Sequence, residues 1–429
     1  MLRERLHGVG GFMVTDQRIY PGEARIQAYV FELRARKQTP PDDLDAQPLL
    51  RYSDRPLYTI SDDDVSLRPL TTQDVIAGTK LGYALYDRGI RGAACGLPSD
   101  VDPLYAPFEQ LLIGLRYGRC GGYSSHAFTP WHMRYVAHIF QVLGWDFGVS
   151  VWMPSPFRLE GNELEIALAL EGTYTSLGVG SMPLMGITAP MNELQTWAQG
   201  LAETLGAAAI LQAAFPGITI DIYPHPKPAD MTTGQYGVGT PEWNFMDALK
   251  MEILPFYGLR PPWGKGASIG AILPGPQATL ERTAQYLTGY LHGYRVFDEA
   301  GIMAGGEVYS SVQLLFDLEA MEWVARYGRG THLDNDTVDL ERWAEIAASE
   351  TLFAEDAEEV AKLRDVYSRN SRLFPCTTVG QHLTLPRDAL ADAKAEIRRL
   401  IANHAYEPDA AIMREAEAIV AHARAHPPA

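Results

Sequence analysis

Three cysteines in 429 residues, Cys95, Cys120 and Cys376, with no CxxC spacing, leave nothing from which to build a disulfide framework or a cysteine-rich zinc module. A reducing cytoplasm is the compartment that fits such usage. No apolar run reaches the length needed to span a bilayer, and the first residues, MLRERLHGVGGFMV, lack an apolar core followed by a small-residue cleavage site. The expectation is a soluble, unexported protein. Positive charge is also scarce: 36 Lys and Arg face 53 Asp and Glu, for a net charge of −17, and no basic run reverses that field locally. A phosphate backbone would be repelled, so nucleic acid is a poor partner. HExxH, a Walker lysine motif, a GxSxG elbow and a dinucleotide GxGxxG in the right context are all missing, which removes the commonest hydrolase, kinase and dehydrogenase readings.

What is present is ample apolar material, 46% hydrophobic against 21% charged, enough for one large core or two ordinary domains. Residues 1–70 are mixed: QRIYPGEARIQAYVFELRARKQ reads as a short strand and a helix, broken by TPPDDLDAQP, and is expected to form a flanking subdomain. From Thr71 helical stretches alternate with short apolar runs, RGAACGL, FGVSVWM, SLGVGSM and ITIDIY. Amphipathic segments of helix length lie between them: Pro107–Tyr117, Pro130–Leu143, Asn192–Phe215, Glu242–Tyr257, Ala278–His292 and Ser311–Tyr327. So many strand–helix units in succession suit a parallel α/β architecture. The absence of a Gly-rich phosphate turn and the length of the span, 71–385, favour a closed (β/α)8 TIM barrel over an open doubly wound sheet. Residues 386–429, rich in Ala, Glu and Arg with one Glu-Pro break, predict two C-terminal helices that serve packing or subunit contact in a homo-oligomer.

In such a barrel the informative residues follow the strands. Those junctions are GLPSD (96–100), MPSPF (153–157), SMPLMGITAP (181–190) and a long segment, 220–244, full of Gly, Pro, Asp and aromatics. Their aromatics are Tyr123, Phe128, Trp131, Trp152, Phe157, Tyr223, Tyr236, Trp243 and Tyr309. A ring of aromatic faces is what a quaternary ammonium ligand needs, since it offers no N–H to hydrogen-bond. His126, His132 and His138 follow Cys120 at six-residue steps, but positions six apart on a helix lie about 240° around the axis and share no ligand face. No metal is expected.

Two segments, SMPLMGITAPM (181–191) and ADMTTGQYGVGTPEWN (229–244), resemble the trimethylamine methyltransferase family of corrinoid-dependent β/α barrels. GLPSD, MPSPFRLEGN, PGPQATLE and YSSVQLLFDLE follow the family's order, so the resemblance runs from about residue 10 to 425. It implies transfer of a methyl group from a methylated amine to the Co(I) of a corrinoid (cobalamin), usually carried on a separate corrinoid protein. Every position is an ordinary residue, so the chain resembles the pyrrolysine-free branch, which includes betaine demethylases. A quaternary ammonium is already activated, because demethylation releases a neutral amine; the protein then works mainly by orientation.

Tyr236, inside the most specific motif, with Trp152 and Tyr309 are expected to wall the methylated nitrogen. A carboxylate tail would be met by strand-end donors such as Thr232, Thr233 or Gln313. The resemblance further implies Asp230 at the substrate, and Gly186, Thr188, Gly234 and Gly239 at the corrinoid. No catalytic side chain is singled out. One departure stands out: GASIGAILPGPQA (266–278) places Gly270, Ala271 and Ile272 where many relatives carry an Asp-Ser-Lys-like strand end. The competing readings are a non-catalytic barrel that binds a methylated amine or a corrinoid partner, and a metal-assisted demethylase.

Overall fold

The computed structural model describes residues 1–36, 47–61, 66–92, 94–119, 126–259, 264–330, 339–349, 351–366, 371, 373–375 and 377–428. Cys120, Tyr123 and Cys376 lie outside them. Within them the chain is mixed α/β with parallel sheets. Seven parallel strands fall in two sheets: β1 (Leu49–Tyr52), β2 (Ile90–Gly92), β3 (Val149–Met153), β4 (Ser176–Ser181), β5 (Thr219–Pro224), β6 (Gly264–Gly266) and β7 (Val296–Asp298). The first sheet runs β6-β7-β1-β2 and the second β5-β4-β3.

Helices follow the strands: α1 (Thr72–Ala84), α2 (Ala106–Tyr117), α3 (Pro130–Leu143), α4 (Asn162–Ala169), α5 (Glu193–Ala214), α6 (Pro241–Phe256), α7 (Pro276–Leu291) and α8 (Ser311–Gly328). Their starts are written in the sequence. Thr71 and Asp74 close a capping box on α1, and the hydroxyls of Thr129, Thr240 and Ser310 accept the backbone N–H three residues on. Pro130, Pro241 and Pro276 occupy the first turn, where proline lacks only an N–H the helix would leave unpaired. The two C-terminal helices form over Ala389–Ala402 and Ala410–Ala425.

The boundary expected at residue 70 cuts through a sheet. Leu49–Tyr52, assigned to the flank, is β1, and it pairs in parallel with β2 on one side and β7 on the other. Four residues are too few for a period-2 pattern to declare itself. At the other end the last of these seven strands closes at Asp298, and the described part of 339–385 holds only short helices.

Strand alternation decides what packs where. Val149, Val151, Leu177, Val179, Ile220 and Ile222 point to the helices and share one core with Met133, Val136, Trp197 and Leu205. Leu50, Phe297 and Ile90 do the same in a second core with Leu81, Tyr286 and Leu314. Two antiparallel hairpins extend the strand ends, each joined in parallel to a further strand: Lys227–Asp230 with Gln235–Tyr236 joins Leu184–Met185, and Ile302–Met303 with Val308–Tyr309 joins Tyr58–Ile60. The segments 153–157, 181–190 and 230–242 thus follow C-terminal strand ends of one sheet.

Between α7 and α8, Arg282 and Asp317 are both fully buried, with Nε 3.1 Å from Oδ1, and the guanidinium also donates to the carbonyls of Ala267 and Ile302. This single side chain therefore ties two helices to the ends of β6 and β7. Removing one member of a buried pair strands the other charge, at about 3–5 kcal/mol. Arg282→Met should lower the urea unfolding free energy by about that amount, and adding Asp317→Leu should recover part of it.

Candidate functional site

The face of β3, β4 and β5 turned away from the helices carries Ser150 and Trp152, Gly178 and Gly180, and Asp221 and Tyr223. Register aligns Trp152, Gly180 and Tyr223 across the three strands. The glycines matter because they leave no Cβ. An added Cβ on Gly180 would lie 2.5 Å from the Trp152 ring, and one on Gly178 would lie 2.7 Å from the Tyr223 ring. The two rings therefore lie over a glycine strand. Trp152 is 41% exposed and Tyr223 46%, so both keep accessible π surface. Burial raises the Tyr223 phenol above its ordinary pKa, and the charge of Asp221 adds to the shift.

His225 continues the same face beyond β5, with its ring edge-on to Trp152 at 6.3 Å between centroids. Its Nδ1 lies 3.2 Å from the Lys250 ammonium on α6. Behind it stands a buried charge cluster. Asp247 accepts from Lys227 at 2.7 Å and from Lys265 at 2.6 Å, while its backbone carbonyl accepts from Tyr294. The Lys227 ammonium also sits 3.8 Å from the centre of a Trp243 ring. Two of the chain's seven lysines thus meet at one aspartate, and a third, Lys250, adds its charge nearby.

The cluster's electrostatics follow from its crowding. Burial lowers Lys227 to about 7; the Asp247 carboxylate opposes the shift, and the Lys265 and Lys250 ammoniums add to it. Lys250 is lowered too, by burial first and then by Lys265. Burial alone would raise Asp247, but Lys227 and Lys265 outweigh it and hold the carboxyl far below the usual carboxylate range. His225 falls well below its ordinary pKa through burial and the neighbouring lysines, so it is neutral at pH 7. Sequence reasoning missed this cluster, whose members are scattered from 225 to 265. The available signal was the scarcity of lysine, with Lys227, Lys250 and Lys265 set among apolar and aromatic residues.

The loops around this face are pinned by three glutamates, two of them, Glu203 and Glu299, buried. Glu203 on α5 accepts from Ser155 Oγ at 2.8 Å and Phe157 N at 3.1 Å, fixing the turn after β3. Glu281 on α7 accepts from Gly270 N at 2.7 Å and Ala271 N at 3.2 Å, fixing the altered segment after β6. Glu299, at φ 71° after β7, accepts from Ser268 and pairs with Arg55. A non-glycine residue held there is strained, a feature that concentrates at functional sites.

The expected site residues separate into three places. Trp152 lies on the open face just described. Tyr236 lies on the antiparallel hairpin, opposite Ala229 and 41% exposed, with no ring contact to Trp152. Tyr309 is 3% exposed; its backbone carbonyl accepts from Thr59, its hydroxyl accepts from Ser311, and a Cβ on Gly78 would reach its ring and Cys95. Its ring is therefore a packing element of the second core and forms no wall with Trp152. Gln313, 1% exposed, donates to Asp317 at 2.7 Å between α7 and α8. It sits on the helix's packed side, so it does not reach a ligand at the strand ends.

The hairpin tip is self-contained. Asp230 accepts from Thr232 N at 2.8 Å and Thr232 Oγ1 at 2.6 Å, hydrogen bonds that lower its pKa, and Thr233 Oγ1 accepts from Gln235 N. Thr188 Oγ1 accepts from Leu184 N at 2.8 Å. Gly186, Gly234 and Gly239 adopt φ of 88°, 73° and 75°, the left-handed region that these tight turns require. Met191 and Met231 close over Gly186, and Glu281 over Gly239. Of the histidines considered for a metal, His126 Nε2 bonds the Arg55 carbonyl and His132 spends both ring nitrogens on Thr129 and Leu104.

Residues 150–358 match the model of the trimethylamine methyltransferase (MTTB) family. That span is similar to this family. It contains the open face, the lysine cluster and both motif loops. Trimethylamine methyltransferase MttB of Methanosarcina barkeri (strain Fusaro / DSM 804) is 25% identical over 276 residues, covering 64% of this chain and 55% of that protein. MttB2 of Methanosarcina mazei is likewise 25% identical with the same coverage. The chain thus spans about half the length of these curated relatives. Among solved structures, the hydroxylamine complex of MtmB aligns over 94% of this chain and 86% of its own, at 14% identity and a TM-score of 0.44.

The depressed Lys227 has a consequence for stability. Between about pH 7 and its ordinary value of 10.5, the unfolded chain binds a proton at Lys227 that the folded chain does not. Stability due to this group therefore rises with pH across that window, and its full cost is present below pH 7. In thermal melts from pH 6.5 to 9.5, the difference in Tm between the native chain and Lys227→Met should shift in favour of the native chain as pH rises.

Proposed function

We propose that this chain is a methyltransferase that takes a methyl group from a quaternary or related methylated amine and passes it to the Co(I) of a corrinoid carried on a separate protein. The observation that carries the reading is the Trp152–Gly180–Tyr223 face inside the span that matches the family. Two accessible rings beside a strand without side chains offer π surface to a cation that has no N–H to donate. A reduced corrinoid, when docked, supplies the nucleophile for the methyl carbon. The rings hold the ammonium and aim one methyl outward, while the C–N electron pair stays on nitrogen and the amine leaves neutral. His225 is neutral and supplies no acid at that nitrogen, as this substrate chemistry requires. A betaine-like compound would add a carboxylate that the two rings do not bind.

The rim fits such a partner. Phe157, Ile187, Met191, Met231, Tyr236 and Ile272 are exposed apolar side chains on the loops that follow the strands. Exposed apolar patches of this kind mark interaction surfaces. Gly186, Thr188, Gly234 and Gly239 shape the turns of that rim, and through them the surface offered to a corrinoid domain. We also read the two parallel sheets as parts of one closed (β/α)8 barrel. Its support is that β7 pairs with β1, as closure demands, and that a helix follows each of the seven parallel strands named among the described residues.

The test is loss of cob(I)alamin absorbance when the chain is mixed with trimethylglycine or trimethylamine. Consumption of Co(I) that depends on chain and substrate is expected. Binding without consumption would identify a receptor, and demethylation without corrinoid, abolished by a chelator, would identify a metal-assisted demethylase. A cation over an aromatic face contributes about 0.5–2 kcal/mol, so Trp152→Ala should raise KM roughly two- to thirty-fold. Tyr236→Ala, on the hairpin, should change KM for the free amine less than Trp152→Ala.

A further inference from the structure

The last helix, Ala410–Ala425, carries His422 in its final turn and His426 at its cap. Residues four apart lie about 40° round a helix axis, so this pair shares a face, unlike the six-residue steps from His126 to His138. The two imidazoles stack, 4.1 Å between centroids and 23° between planes, and both residues are exposed. Each ring spends one nitrogen and keeps the other. Nδ1 of His426 lies 2.9 Å from the His422 carbonyl. A carbonyl can only accept, so in the neutral ring that nitrogen carries the proton and Nε2 holds a bare lone pair. Nδ1 of His422 lies 3.3 Å from the Tyr135 hydroxyl on α3, which can accept from it in the same way. Neither Nε2 takes a hydrogen bond among the described residues.

The surroundings fit a metal. A backbone carbonyl or hydroxyl on the far nitrogen is what orients an imidazole as a ligand. Arg424 lies about 200° round the axis from His422 and is drawn to Glu109 at 3.4 Å, so its charge is turned from the pair. Trp131 donates from Nε1 to the His426 carbonyl at 2.9 Å, holding the helix end against α3. His292 shows what one ring alone amounts to. At the end of α7 its Nδ1 makes the same bond to the carbonyl four residues back, but no second imidazole stacks on it among the described residues.

We propose that His422 and His426 form a two-nitrogen site for one divalent transition ion of the zinc, nickel or copper class, with water completing its coordination. Imidazole suits these ions, whereas Mg2+ and Ca2+ take oxygen ligands. Two nitrogens about 3 Å apart close a chelate with metal–nitrogen distances of about 2.1 Å, and rings this close need only a small turn to reach it. Tyr135 is the positioning residue. The site is separate from the open face of β3, β4 and β5 and does not depend on the proposed reaction. The bound ion ties the last turn of a helix whose Val420 and Ala423 pack in the first core, so binding to the folded chain adds stability by mass action.

Titrations of the full chain with copper(II), nickel(II), zinc and magnesium chlorides test it. Cu2+ should quench tryptophan fluorescence, through Trp131 beside the site, and should bind more tightly than Ni2+ or Zn2+, with no response to Mg2+. His422→Ala and His426→Ala should each weaken binding at least about tenfold, because the second nitrogen of a chelate binds intramolecularly. Tyr135→Phe should weaken it roughly tenfold, and His292→Ala should change nothing. Zn2+ should raise the Tm of the native chain and not that of the double alanine variant, whose metal-free Tm should match the native value because both side chains are exposed. Native affinity in the double variant, or equal binding of Mg2+, would overturn the assignment. Should the double variant melt early, His426→Gln decides: a tenfold loss of Cu2+ affinity supports the site, and unchanged affinity removes it.

Discussion

Two missing side chains govern this molecule. Gly178 and Gly180 sit in the middle strand of a parallel sheet whose other face is committed to Leu177, Val179 and the helices behind them. A glycine in a strand interior weakens the strand and is retained where something must approach closely. Here the approaching groups are the rings of Trp152 and Tyr223 from the neighbouring strands. Alanine at either position would collide with a ring within 3 Å and push it off the sheet. The chemistry available to the open face therefore depends on absent atoms as much as on the rings.

The second constraint is electrostatic. Asp247 is the carboxylate on which two fully buried lysines converge, and a third lysine stands close by. Such a group is costly relative to an apolar filling of similar volume. What it offers in exchange is a fixed field. It holds His225 neutral, and does so from behind the sheet without occupying the face itself.

The legibility of the sequence followed the length of each signal. Helices with a capping Thr or Ser, a leading proline and several turns of amphipathic pattern were located within two residues, as Pro130–Leu143 and Ser311–Tyr327 illustrate. Strands of three or four residues, Leu49–Tyr52 and Gly264–Gly266 among them, were not, because one alternation is no period. Trp152, expected to wall the methylated nitrogen, stands at a strand end with an accessible face. Tyr309 and Gln313 stood at equally plausible junctions but turn into the packing of α8, and nothing local in their segment distinguishes the two outcomes. The Lys227–Lys250–Lys265 convergence lay beyond reach for a different reason: it is set by which faces of α6 and β6 meet, a property of the fold and not of any segment.

The pairing of β1 with β7 has a kinetic side. Arg51 and Asp298, ion-paired across those strands, are 247 residues apart in sequence. Contacts of such separation carry a large loop-closure cost and slow the folding of domains they dominate. A ribosome must deliver the chain through Asp298 before β1 has its second neighbour. Until then the edge of β1 stays open, and its backbone groups offer a template for pairing with another nascent chain. Synthesis, more than the finished fold, is where this protein is most exposed to misassembly.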